Sequence, residues 1–319
     1  MGYFRYLYSS LALLIALALY LPQANAKPLA FITNQLAETV SVIDTATHKV
    51  IKSIDIPGKP AGVAVSNNNT KVFISTPEKA GFSVVDANSL KLVRSIPAAK
   101  GGLGIATDRQ DKMIFLADWF KNSVAIYDSN TYLKLKQIKV GRSPSGMAAS
   151  FDNHWLYVAN RESNSVSKID LTSLKVVKTK DVGKHPFGLT IDKQGEKIYT
   201  ANVESNDVSV VNADTLEIIA TIKVGSMPYT PALAQDDSRL FVTNQDDDTV
   251  SVIDTQKLKV ISTVEVGEKP EGICTHPDDH HVYVANWFDN TVSVIDTKTL
   301  KVIHTIETGD GSRAFGKCL

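Results

Sequence analysis

The chain has 319 residues, 43 % apolar and 21 % charged, the make-up of a globular protein with room for two domains or one large all-β ring. Lys plus Arg and Asp plus Glu both number 34, so no global charge draws the chain to nucleic acid or an anionic membrane. Two cysteines are too few for a disulfide scaffold, and without Cys-x-x-Cys-His covalent c-type haem is excluded.

The first predicted element is a leader. Arg5 is the only charge ahead of an apolar run from Leu11 to Leu21, and Ala24-Asn25-Ala26 offers small residues for cleavage. This is the pattern of a secretory signal peptide, too short for a permanent anchor. Cleavage after Ala26 is expected to leave a soluble, periplasmic or secreted chain of 293 residues with no membrane span.

From Leu29 onward the sequence repeats. A short apolar run closes on Asp44, Asp86, Asp128, Asp170, Asn212, Asp254 and Asp296, each 42 residues after the last. Ten residues before each stands a second anchor: Asn34, Thr76, Asp118, Asn160, Asn202, Asn244 and Asn286. Periods of this length mark arrays, and four short strands in about 42 residues mark a propeller blade. The last full repeat shows the pattern. Glu271 to His276 is predicted as strand a, and Pro277-Asp278-Asp279 as a turn. His281 to Asn286 is strand b, Thr291 to Asp296 is the β-branched strand c, and Leu300 to Glu307 is strand d. The expectation is an all-β, seven-bladed β-propeller, with residues 27–319 as its single domain. The first repeat has no strand a of its own. Arg313 to Leu319 resembles the start of strand a at His185 to Thr190, so the C-terminus is expected to join the N-terminal blade and close the ring.

Tyr157-Val158-Ala159-Asn160 and Phe241-Val242-Thr243-Asn244, each followed by a Ser-Val-x-x-Ile-Asp or Val-Ile-Asp strand, resemble the YVTN family of β-propeller repeats. The second repeat departs most, with Thr76-Pro77 in place of the Asn. The resemblance implies an exported propeller that often serves as a binding or scaffolding module. It implies no reaction, because one fold hosts many functions.

Function is sought where residues break the repeat. In a propeller the d–a and b–c loops gather on one face around the channel. There the candidate ligand- or partner-binding residues are Asp118, Trp119, Arg142, Arg161, His185, Tyr229, Trp287 and Arg313. The same aromatic pair recurs as Trp119-Phe120 and Trp287-Phe288. Residues 161–185 are rich in Lys and Arg, with Lys168 and Lys180 in columns apolar elsewhere; they are read as a solvated outer edge. The alternative is a docking surface for an acidic protein or single-stranded nucleic acid. Recurrence of the Asp and Asn anchors argues for turn capping rather than catalysis. His276, His280 and His281 bracket a turn on the opposite face, where no metal site is expected. Asp246-Asp247-Asp248 lacks the ligand spacing of a calcium loop. Cys274 and Cys318 fill a column of small residues; they are either free buried thiols or a disulfide. The leading expectation is a monomeric, non-enzymatic binding or scaffold protein for a protein or small ligand, with no cofactor. The runner-up is an enzyme or accessory of a periplasmic redox system, resembling propeller lactonases and lyases and using Asp118, His185 or Arg142 at the channel mouth.

Overall fold

The computed structural model describes residues 28–98 and 101–319. The expected leader, residues 1–26, lies outside them. Seven sheets follow one another in chain order, each an antiparallel meander, and they form a seven-bladed β-propeller. In the last full repeat, strands a to d run Pro270–Thr275, His281–Asn286, Thr291–Asp296 and Lys301–Glu307, within a residue of expectation. The innermost strands touch in succession around the channel. Among the described residues no helix is long and apolar enough to cross a membrane.

The blades stack face to face, so strands b and c are buried on both sides. Thr291 to Ile295 are all buried, and the alternation of Val with Ser there is not one of inside with outside. One hydrophobic cluster joins Val208, Val210 and Ile222 of the fifth blade to Leu240, Val242 and Ile253 of the sixth. The buried amide nitrogens between them are paired, although Oδ1 of Asn34, Asn202, Asn244 and Asn286 has no hydrogen-bond partner. The Asn closing strand b donates through Nδ2 to two strand c side chains: Asn286 to Thr291 and Ser293, both at 2.9 Å, and Asn160 to Ser165 and Ser167. The Asp anchors cap the c–d turn; Asp296 Oδ1 accepts from the amides of Lys298 and Thr299. These bonds favour the ionised carboxyl and hold the pKa of Asp86, Asp128, Asp170, Asp254 and Asp296 below the ordinary value.

The ring closes through both of its neighbours. The first blade has three strands of its own, Leu29–Asn34, Thr39–Asp44 and Lys49–Asp55. Ser312 bridges Asn34 antiparallel, Arg313 N–H donates to Thr33 O at 2.8 Å, and Phe31 N–H donates to Cys318 O at 2.9 Å. Between those anchors Phe315–Lys317 runs parallel to Gly62–Val65 of the second blade. The segment therefore enters in the register of the 42-residue period, at Ser312, and then bulges by two residues around Gly316, whose φ is +120°. The bulge brings Cys318 opposite Phe31, the row in which Cys274 faces Tyr283. The structure joins Cys274 to Cys318 in a disulfide, with Cα atoms 5.9 Å apart.

Candidate functional site

The symmetry of the repeat fails most in one column, the second residue of strand a. It holds Ala61, Leu103, Ser145, Phe187, Tyr229, Glu271 and Arg313 around the channel. The large members meet at the d–a end. Phe187 stacks on Tyr229 with ring centres 4.0 Å apart, and Phe315 joins them at 4.8 Å. Arg313 Nε stands 2.6 Å from Glu271 Oε2, an ion pair rather than a well-directed hydrogen bond. Arg313 Nη2 donates to the Tyr229 hydroxyl at 2.9 Å, and Gln245 Nε2 donates to Glu271 Oε1 at 2.8 Å. Burial pushes the carboxyl of Glu271 and the phenol of Tyr229 up, and the guanidinium of Arg313 opposes both shifts. Burial pulls Arg313 down, but Glu271 and Tyr229 together carry it above its ordinary value. This group plugs the channel on the face where function was sought.

The eight expected residues divide around the plug. Tyr229 and Arg313 are part of it, and Trp119 borders it, with its ring 6.5 Å from Phe187 and the Arg161 guanidinium 5.8 Å above it. His185 Nε2 lies 3.4 Å from Glu204 and 3.7 Å from Glu162, while Arg142 donates to the Glu162 carbonyl. Asp118 is buried at the foot of its loop, with Oδ1 accepting the Lys121 amide. Trp287 belongs to another blade and packs on Phe288. The reading of Lys168 as outer edge is corrected. Its side chain is 4 % exposed, pairs with Asp214 at 3.1 Å and sits 4.1 Å above the Trp155 ring. A long cation fits that apolar column because the Trp face and one carboxylate at its end satisfy the ammonium.

Below the plug the channel opens toward the a–b turns, the opposite face. There a cavity of about 500 Å³ is walled by strand a residues such as Ile105, Met147, Leu189, Ile273 and Phe315. Arg109, Lys193 and Lys317 stand around it with Asp237 and Asp279. Lys193 is neutralised by Asp236 at 3.1 Å and Asp279 at 3.6 Å. Arg109 lies 3.8 Å over the Phe151 ring and donates Nε to the Ala149 carbonyl, and Lys317 Nζ donates to Asn67 Oδ1. Neither has a carboxylate within ion-pair distance among the described residues. Lys317 keeps an exposed side chain, yet desolvation by the surrounding chain, and then the charge of Arg109, bring its ammonium down to about 8; Asp111 opposes this. Burial alone lowers Arg109. The apolar wall with two cations at one side, neither in an ion pair among the described residues, suits a compact organic anion. Arg109 escaped sequence reasoning because its turn column holds residues as unlike as Asn67, Phe151, Lys193 and Pro277, and Lys317 because the C-terminal segment was read for ring closure alone, although its column is otherwise Val65, Thr107, Ala149, Ile191, Leu233 and Thr275.

A family model described as YNCE-like β-propeller matches residues 108–236 and 230–310. No curated protein matches the sequence. Among solved structures the chain is similar to hydrazine synthase of Kuenenia stuttgartiensis, at 20 % identity and a TM-score of 0.77, covering 84 % of this chain and 92 % of that one. A functionally unknown protein of Desulfotomaculum acetoxidans has 12 % identity and a TM-score of 0.78, covering 90 % and 99 %. Dihydro-heme d1 dehydrogenase NirN has 15 % identity and a TM-score of 0.68, covering 88 % and 64 %. At such identities the likeness establishes the fold alone.

Proposed function

The chain belongs to the YNCE-like β-propeller family, and on that premise we propose that it is an exported, non-enzymatic binding protein that takes a small organic anion into its channel. The observation that carries this reading is the cavity of about 500 Å³ with Arg109 and Lys317 at its side, neither in an ion pair among the described residues. A pocket of this size holds a drug-sized or smaller molecule. Its apolar wall takes the carbon skeleton, and the guanidinium offers a fork for a carboxylate or phosphate. The plug of Phe187, Tyr229, Phe315 and the Glu271–Arg313 pair makes the cavity a blind pocket, so the ligand enters between the a–b turns. The test is a thermal-shift panel of mono- and dicarboxylates, small phosphate esters and their neutral amides or alcohols. Stabilisation by acids but not by neutral analogues supports the reading; indifference to charge removes it.

A second reading concerns the loop face. Phe120 and Phe288 are 73 % and 60 % exposed in equivalent b–c loops, beside half-buried Trp119 and Trp287. Paired exposed aromatics on one face suit a protein partner. It is tested by capture from the periplasmic fraction with wild-type protein and the Phe120→Ala, Phe288→Ala double variant; equal capture counts against it.

A further inference from the structure

The turn of the last blade, His276 to His281, meets the c–d turn of the first blade at the seam where the ring closes. Thr45 makes the contact. Its hydroxyl donates to the Pro28 carbonyl at 2.6 Å, so it has only lone pairs left for His276 Nε2, 3.0 Å away. His276 therefore carries a proton on Nε2, and the Asp278 amide points at its Nδ1 from 3.2 Å. Yet Asp278 Oδ2 lies 2.9 Å from that same Nδ1 and 2.7 Å from His281 Nδ1. A contact this close is met either by a second proton, which makes the imidazole cationic, or by a metal ion held between the two atoms.

The carboxylate is fixed in place for the role. Asp278 Oδ1 caps the turn, accepting the amides of His280 and His281, which leaves Oδ2 aimed at the two imidazoles. The three donor atoms lie within 4.8 Å of one another. At zinc–nitrogen and zinc–oxygen distances of about 2.0–2.1 Å, tetrahedral ligands stand about 3.3 Å apart. The two carboxylate–imidazole distances need to open by only about half an ångström, while the two imidazole nitrogens, within 4.8 Å of each other, settle toward about 3.3 Å.

The geometry points to a site for one divalent transition ion of the zinc class, bound by His276, Asp278 and His281 at the closing seam. Two imidazoles and one carboxylate suit zinc and disfavour calcium or magnesium, which take oxygen ligands. Three protein ligands leave a coordination position for water or an anion, and His276 also lines the channel cavity. No metal was expected at this turn; Thr45 of the neighbouring blade, in contact with His276 Nε2, fixes one of its ligands from outside the hairpin.

The test uses the mature chain, stripped with chelator and titrated with Zn²⁺ by calorimetry, with melting followed in parallel. One ion per chain is expected, and saturation about 100-fold above Kd should raise Tm by about 4 °C. His276→Ala and His281→Ala should each weaken binding at least about 100-fold. Asp278→Asn, which keeps an oxygen to cap the turn, should weaken it at least about 10-fold. His280→Ala and His154→Ala are controls. His280 faces Gln235, and His154 occupies the equivalent turn of the fourth blade beside Asp152. Both should bind as wild type, and all variants should melt alike in chelator. Absence of saturable binding, or binding that survives the double change of His276 and His281, or a His280→Ala loss equal to that of His281→Ala, overturns the proposal.

Discussion

Removal of residues 312–319 should take away the closure of the ring. The deletion loses the bridge to Asn34 and the backbone bonds from Arg313 and Phe31. It loses Phe315 and Leu319, which are 3 % and 7 % exposed. Each such side chain contributes about 1.5–3 kcal/mol by burial. It also loses the disulfide, which spans 44 residues; the chain-entropy model gives about 4 kcal/mol for a loop of that length. The total, about 7–10 kcal/mol, is comparable with the whole stability of a typical domain. At about 2.1 cal/mol/K per residue, residues 27–319 unfold with an entropy of about 0.6 kcal/mol/K, so the loss amounts to about 12–16 °C in Tm. The assay is thermal denaturation followed by circular dichroism, comparing residues 27–311 with residues 27–319 before and after reduction. Reduction alone should cost about 6–7 °C. A truncated chain melting within about 2 °C of the full one would falsify the closure account.

Two further outcomes follow from buried charge. Glu271→Gln leaves the guanidinium of Arg313 buried without its counter-charge, and urea denaturation should show a loss of about 3–5 kcal/mol; a loss under about 1 kcal/mol would mean that Tyr229 alone satisfies Arg313. The Lys317 ammonium, brought down to about 8, should lose its charge as pH rises through that value. Anion affinity should therefore fall between about pH 7 and 9, since Arg109 stays charged throughout. Stability runs the opposite way with pH. A lowered lysine pKa means that the folded chain binds fewer protons than the unfolded one, so this group's contribution is present above the unfolded value and lost as pH falls through about 8. Lys317→Met should flatten the affinity profile, and a slope that survives it would assign the effect elsewhere.

The fold was legible because each blade states it independently. Seven Asp or Asn anchors and seven strand b endings, all at one spacing, locate the turns and hairpins without any knowledge of tertiary contacts. The closing segment was legible in place but not in register. The period puts Gly316 opposite Phe31, whereas the bulge puts Cys318 there, and a bulge follows from how the last strand meets two neighbours at once. Lys168 was misplaced because its partners, Trp155 and Asp214, come from other strands and the next blade. The site divided in the same way. Repeat-breaking columns pointed to the channel, and Tyr229 and Arg313 do line it. Whether they form a mouth or a plug depends on Phe187, Glu271 and Phe315 meeting across the ring, a contact between residues up to 128 apart in sequence. One sequence signal was available: the Ala, Leu, Ser, Phe, Tyr, Glu and Arg of a single column share no common character, and its variety marks the place where the channel is filled.

Binding of an organic anion in the channel is tested most directly by calorimetric titration with the best acid from the panel, using wild type, Arg109→Ala, and the loop-face variant Arg161→Ala. The account predicts at least about 10-fold weaker binding for Arg109→Ala, the loss of one charge-assisted contact, and wild-type affinity for Arg161→Ala. Unchanged affinity in Arg109→Ala together with a loss in Arg161→Ala would contradict it and return the site to the loop face.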